Sequence, residues 1–333
     1  MMTDFKKLSM DELCARLCEK KMTLIIYHVR SDADAVGSAF ALRELLHMLG
    51  STVFCVCSDE VPERLRFLSE DVQGSVVPAD GMDFGHERVI SVDSASPSQL
   101  GPLFDRLHKD IDLMIDHHGT GTVYADNYID PTAAATGEII YTVAKKLLAD
   151  GKISMIPPRV INCVYAAISS DTGGFRFANV TPTTHRMAAE LIEAGADSVD
   201  INHRLFESKT LKQVSAEAEA AKRLKLHRDG RIASVTIPYT SKAALGLNDE
   251  NLETVIEIPR SIGGVEVAYS VRQSDPDTLF RVSMRSSTDF DVAAVCKRFG
   301  GGGHVRAAGC SLRAANIDEA EQSIYRAIVE AMQ

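Results

Sequence analysis

Histidines and aspartates recur in this chain at the ends of apolar runs, where side chains from distant segments can converge on one point. The first group is His28, Asp32 and Asp34 in "HVRSDADAVGSA", which follows the run "TLIIYHV" and precedes a helical stretch. A turn from strand to helix would bring the imidazole and both carboxylates to one sheet edge. That set of oxygen and nitrogen donors suits Mn2+, Mg2+, Zn2+ or Fe2+ better than a soft metal. A helix cap would account for one aspartate at this place, but not for two. Asp93 in "VISVDSAS" and the triplet Asp116, His117 and His118 in "LMIDHHGT" end two further apolar runs, and Asp171 in "AAISSDTGGFRF" ends another.

Charge arithmetic on these residues points to two cations. Asp32, Asp34, Asp93 and Asp171 would gather four negative charges, which two divalent ions neutralise while neutral His28 and His117 complete the shells. Without metal the same carboxylates repel one another, and their pKa values rise. The consecutive histidines point in different directions, so one can hold metal while the other faces a substrate. A second region, "RFGGGGHVRAAGC" at 298–310, has a different chemistry. Gly301, Gly302 and Gly303 let backbone N–H groups come close to an anion, and His304 and Arg306 can add donors or charge. No Lys-Ser/Thr pair follows these glycines, so this is not a Walker loop. Arg272 and Arg285, on the strands expected next to it, are candidates to line the same pocket.

The elements that must position these groups read as an α/β fold. Between residue 22 and about 195, the runs "MTLIIYHV", "TVFCVC", "RVISVD" and "IDLMID" alternate with amphipathic stretches, which implies a mainly parallel sheet covered by helices on both faces. Ligands of such sheets bind outside the carboxyl ends of the strands, where the polar residues stand. We expect a catalytic metal-binding domain over 1–195, a helical connector over 196–224 and a smaller α+β substrate-binding domain over 225–333, with a cleft between the two domains. The second domain should contain a hairpin around "RDGRIASVTI", the strands "VEVAYSVRQ" and "TLFRVSMRS", a helix over "DVAAVCKRF" and a last strand and helix.

Composition narrows the choice of function. A chain of 333 residues exceeds what one core usually supports, and 45% hydrophobic with 25% charged residues is ordinary for a globular protein. No apolar run is long enough to span a bilayer, and the start lacks the apolar stretch of a signal peptide, so a cytoplasmic protein is expected. The seven cysteines lack the CxxC pairing of a zinc site and read as reduced, buried thiols. A net charge of −10 argues against coating long nucleic acid, yet leaves room for a short anionic ligand in a locally basic pocket.

From about residue 20 to 330, the succession of His28, Asp32 and Asp34, then Asp93, then Asp116-His117-His118, then Asp171, then Gly300 to His304 resembles the DHH phosphoesterase superfamily followed by its DHHA1 domain. The type it follows is the bacterial nanoRNase and 3′,5′-bisphosphorylated adenosine (pAp) phosphatase. Family II pyrophosphatases differ in the second domain, the long single-strand exonucleases carry an additional domain, and the membrane-bound cyclic-dinucleotide phosphodiesterases carry upstream segments. The resemblance implies that His28, Asp32 and Asp93 hold one metal and Asp34, Asp93, His117 and Asp171 the other, usually Mn2+, with Mg2+ or Co2+ as alternatives. Asp93 would bridge, His118 would face the scissile phosphate with Asp116 beside it, and the metals would activate a bridging hydroxide. The implied activity is hydrolysis of very short oligoribonucleotides to mononucleotides, and of pAp to AMP, without a membrane; relatives of this type are often homodimers, and the sequence leaves the oligomeric state open. Two other readings stay open: a soluble phosphodiesterase for cyclic or linear dinucleotides such as c-di-AMP or pApA, and a regulator that binds nucleotides without hydrolysing them.

Overall fold

A computed structural model describes residues 5–69 and 85–332, together with the backbone of 76–78. The chain divides into two compact units, Met1–Ser208 and Lys209–Gln333.

In the first unit, helix α1 (Met10–Leu17) precedes strand β1 (Thr23–Tyr27), helix α2 (Ala33–Met48), β2 (Val53–Cys57), β3 (Val76–Pro78) and β4 (Arg88–Val92). Then come α3 (Pro102–Leu107), β5 (Ile111–Asp116), β6 (Asp126–Ile129) and the helices α4 (Thr136–Ala149), α5 (Pro158–Asp171), α6 (Pro182–Glu193) and α7 (Ser198–Asn202). The strands form one six-stranded sheet in the order β3-β2-β1-β4-β5-β6, and every pairing is parallel. Every residue of β1 and β4 is buried, which is why their sequences are mainly apolar rather than alternating, with Thr23, Arg88 and Ser91 as the buried polar exceptions. Ile25, Tyr27, Ile90 and Val92 pack with α1, α2, α4 and α5, while Leu24, Ile26 and Val89 pack on the other face with Leu100, Leu103 and Leu107. The expected parallel sheet covered on both faces is therefore present, and the four runs read as strands are β1, β2, β4 and β5. The short β3 and β6 were not expected. The β6 edge is paired by the segment just before α1: Asn127 donates its amide to the Lys6 carbonyl and accepts from the Leu8 amide. Such an edge offers no open ladder to another chain.

In the second unit, α8 (Leu211–Lys222) leads into β7 (Lys225–His227) and β8 (Ile232–Ile237), then α9 (Tyr239–Ala244), α10 (Glu257–Arg260), β9 (Val267–Gln273) and β10 (Leu279–Ser286). The chain closes with α11 (Val292–Lys297), β11 (Gly302–His304), β12 (Ala307–Arg313) and α12 (Ile317–Ala331). These strands form a mixed sheet in the order β11-β12-β10-β9-β8-β7, in which only β8 and β9 run parallel. The parallel pair is joined by a helical crossover, as its geometry requires. On β10, Phe280, Val282 and Met284 turn towards a core closed by α11 and α12, and Arg281, Ser283 and Arg285 turn to the opposite face. The hairpin, the two long strands and the helix expected here are all present.

Candidate metal centre

The strand order reverses direction between β1 and β4. In open parallel sheets that reversal opens a crevice outside the carboxyl ends of the strands, where ligands bind. His28 lies one residue past the end of β1, Asp93 one residue past the end of β4, and β5 ends in Asp116 with His117 and His118 following. Three neighbouring strands thus deliver their polar residues to the switch point. Asp32 is the N-cap of α2 and Asp34 lies in its first turn, while Asp171 is the last residue of α5. Asp93 has a φ of +53°, a left-handed conformation that costs an ordinary residue about 1 to 2 kcal/mol but that aspartate tolerates better than most.

The side chains converge on Asp93. Its Oδ2 lies 3.5 Å from His28 Nε2, which is also 3.7 Å from Asp32 Oδ1. Its Oδ1 lies 3.8 Å from His117 Nε2 and 3.7 Å from His118 Nδ1. His117 Nε2 is in turn 3.8 Å from Asp34 Oδ2 and 3.3 Å from Asp171 Oδ2. Two groups of donor atoms, His28-Asp32-Asp93 and Asp34-Asp93-His117, each fit within 4.8 Å and share Asp93. His118 makes a different contact: its Nδ1 is 2.7 Å from Asp116 Oδ1, which also accepts the amides of His117 and His118. Asp116 therefore fixes the ring of His118 through Nδ1.

Electrostatics follow from this crowding. Burial raises Asp34, and Asp93 and Asp171 push it further, well above the ordinary carboxylate range. Burial likewise raises Asp171, to about 6, against the pull of His117. Asp93 is also penalised by burial, but His28, His118 and His117 more than reverse it and hold the carboxyl well below its usual value. Asp32 is lowered in the same way, with His28 overcoming burial. Burial alone would depress the imidazoles, yet the carboxylates win at each: His28 rises well above 6.5 through Asp32 and Asp93, His117 reaches about 11 through Asp171, Asp34 and Asp93, and His118 rises through Asp116 and Asp93. Protonated histidines thus offset the charge of Asp32 and Asp93, while burial and like charge push Asp34 and Asp171 towards their neutral forms. Hard oxygen donors with imidazole nitrogens, crowded and negative, fit divalent cations.

Several supporting groups were not legible from the sequence. His117 Nδ1 is fixed by the Ala133 carbonyl at 3.2 Å, Asp34 Oδ1 accepts from Ser38 Oγ at 2.9 Å, and Asn179 Nδ2 donates to the carbonyls of Ala134 and Asp171. Thr136 and Gly137, at the start of α4, donate to Asp34 and Asp93. A signal for this helix start does exist: its N-cap is Ala135, which has no side chain able to cap, so its first amides need acceptors from elsewhere.

In the second unit the glycine segment is more ordered than a loop. Gly302, Gly303 and His304 form β11, paired with β12 in the register Gly302↔Gly309, Gly303↔Ala308 and His304↔Ala307. Gly300, at φ +73°, ends α11 in the left-handed conformation usual after a helix. A Cβ on Gly301 would collide with the Gly309 carbonyl, and one on Gly303, at φ +135°, would lie 2.5 Å from the Ala307 carbonyl. The space beyond Cα is open at Gly300 and Gly302; a positive φ explains glycine at 300, and the close approach of β12 explains it at 301 and 303. His304 is exposed, and Arg306 is exposed and paired with Asp289 at 2.7 Å. Arg285 and Arg272 are half-buried: Arg285 donates to the Met284 carbonyl, and Arg272 to the Leu252 carbonyl and Ser283 Oγ. All seven cysteines are free.

A parallel α/β unit with paired clusters of aspartate and histidine at its switch point, followed by a mixed-sheet unit with a glycine hairpin, is the arrangement of a DHH domain followed by a DHHA1 domain. The DHH family N-terminal domain matches residues 22–168 and the DHHA1 domain matches 234–330, so the chain carries both domains in this order. It is 28% identical over 310 residues to the bifunctional oligoribonuclease and PAP phosphatase NrnA of Thermus thermophilus, covering 92% of this chain and 89% of that one. It is 29% identical over 308 residues to the protein of the same name from Bacillus subtilis, covering 90% and 92%. Among solved structures, an exopolyphosphatase-related protein from Bacteroides fragilis superposes with a TM-score of 0.85 over 97% of both chains at 19% identity, which establishes the shared fold.

Proposed function

We propose that this protein hydrolyses very short oligoribonucleotides to mononucleotides and pAp to AMP, using two divalent cations, Mn2+ first among them. The observation that carries this reading is the placement of Asp93, with one carboxylate oxygen towards the His28 and Asp32 group and the other towards the His117 group. The two NrnA relatives, matched over most of their length, support the choice of substrate.

His28, Asp32 and Asp93 would hold one cation, and Asp34, Asp93, His117 and Asp171 the other. When bound, such a pair supplies Lewis-acid chemistry, stabilising phosphoryl charge and lowering the pKa of the attacking water. The chain's own part begins with Asp116, which holds His118 in a single ring orientation and favours its protonated form. A protonated His118 can then offer charge or a proton to the phosphoryl group as the ester bond breaks. We assign binding of the remaining nucleotide to the second unit, through the backbone of Gly302 and Gly303 and the side chains of His304, Arg306, Arg285 and Arg272; the Gly301 amide is taken by the Cys296 carbonyl at 3.0 Å and is not a donor to the ligand. Seven free thiols suit a reducing compartment, and no described helix is long and apolar enough to cross a membrane, in keeping with action in the cytoplasm.

The test is a hydrolysis panel with metal-free protein, with and without Mn2+, over pAp, ribonucleotides of two to five residues, longer RNA, pApA and c-di-AMP. We expect Mn2+-dependent turnover that favours pAp and the shortest RNAs. Faster turnover of c-di-AMP than of either would move the assignment to a dinucleotide phosphodiesterase, and tight binding without turnover of any substrate would make the protein a sensor.

A further inference from the structure

The start of α4 is an unusual helix end. Ala135 at the N-cap makes no side-chain bond, and the amides that it leaves open are taken by a carboxylate from another element. Thr136 N donates to Asp34 Oδ2 at 2.7 Å and Gly137 N donates to Asp34 Oδ1 at 2.9 Å. The helix thus brings the positive end of its dipole to a buried aspartate. Gly137 has a packing reason to be glycine, because a Cβ there would lie 2.6 Å from the Ala167 Cβ on α5. The Thr136 side chain adds a contact that helix capping does not require: its Oγ1 donates to Asp93 Oδ1 at 2.9 Å. Thr136 is fully buried, so water does not stand in for its hydroxyl.

That hydrogen bond meets the carboxylate that the two donor groups share. A carboxylate turns freely about its last torsion unless something fixes it, and Asp93 can serve both groups only when Oδ2 faces His28 and Oδ1 faces His117. We propose that Thr136 is a positioning residue for the binuclear centre: its hydroxyl sets the rotation of Asp93, while its amide anchors Asp34 on the same side. Outer hydrogen-bond partners of this kind typically contribute about 10-fold to 100-fold in metal affinity. The dependence should be uneven, because the hydroxyl bonds the oxygen that faces Asp34 and His117.

This assignment rests on the two-metal reading above, and calorimetric titration of the full-length, metal-free protein with Mn2+ separates the two. Wild type is expected to bind two ions. T136V, which removes the hydroxyl at similar volume, should keep one ion at near wild-type affinity and weaken the other by at least about tenfold. T136S, which keeps the hydroxyl, should stay close to wild type. Melting curves of the metal-free proteins check folding, and if T136V does not fold, T136A undergoes the same titration. Two ions bound to the hydroxyl-free variant with wild-type affinity, or a T136S variant weakened as much as T136V, would overturn the role of the hydroxyl. Fewer than two ions on wild type would overturn the binuclear reading itself, before any variant is compared.

Discussion

Each side chain at the switch point does one job for the fold and a second for the site. Asp32 caps α2 through Oδ1, which accepts from the amides of Asp34 and Ala35, so its local role is compatible with the proposed one. Asp116 shows the same economy, since a single oxygen collects two amides and the His118 ring. Asp116→Asn would keep the amide contacts but lose the charge that supports a protonated His118. The expected result is a fall in kcat of about 10²-fold or more, with KM and Mn2+ stoichiometry unchanged in steady-state and calorimetric measurements. Without metal, His117 titrates near 11 rather than 6.5, so it binds a proton more tightly in the folded protein than in the unfolded one. The stability that this contributes is complete below about pH 6.5 and is lost as pH rises towards 11. Thermal melts of metal-free protein should therefore decline across that window. For the same reason Mn2+ binding at neutral pH should release protons, visible as a buffer-dependent binding enthalpy. The residues that converge on Asp93 were legible in the sequence because aspartate and histidine at the ends of apolar runs are conspicuous. Thr136 and Asn179 were not, because a hydroxyl or an amide that holds a ligand looks like any other loop residue until the backbone is placed.

At the scale of elements, precision comes from three helices packed closely behind the strand ends. Gly37 on α2 allows the Cys163 carbonyl of α5 to approach so near that a Cβ would sit 2.5 Å from it. Both helices carry proposed ligands, Asp34 at the start of α2 and Asp171 at the end of α5, so any separation of the pair shifts one against the other. Gly37→Ala should destabilise the protein by about 1 to 3 kcal/mol through overpacking. It should also weaken Mn2+ binding, although residue 37 touches no donor atom; a lowered melting temperature with unchanged metal affinity would count against this coupling. The buried strands were readable as apolar runs, whereas β3 and β6, with three and four residues, are too short to show a pattern. From its composition the glycine segment reads as an anion cradle. The structure gives three of its glycines a backbone reason, which the sequence could not distinguish because φ and the approach of β12 are set by pairing partners several residues away.

For the whole molecule, the two units have separate hydrophobic cores, and the proposed ligands all lie in the first. Calorimetric melting should therefore show a transition that Mn2+ raises and a chelator lowers, beside another that responds little. At a free Mn2+ concentration a hundredfold above Kd, the gain for the first unit is about 2.7 kcal/mol. Equal responses of both transitions would place metal binding elsewhere. The most direct measurement is anomalous diffraction at the manganese edge from crystals grown with Mn2+. Two peaks should flank the Asp93 carboxylate, one beside His28 and Asp32 and the other beside Asp34, His117 and Asp171. A single peak, or peaks away from Asp93, would contradict a binuclear centre at the switch point.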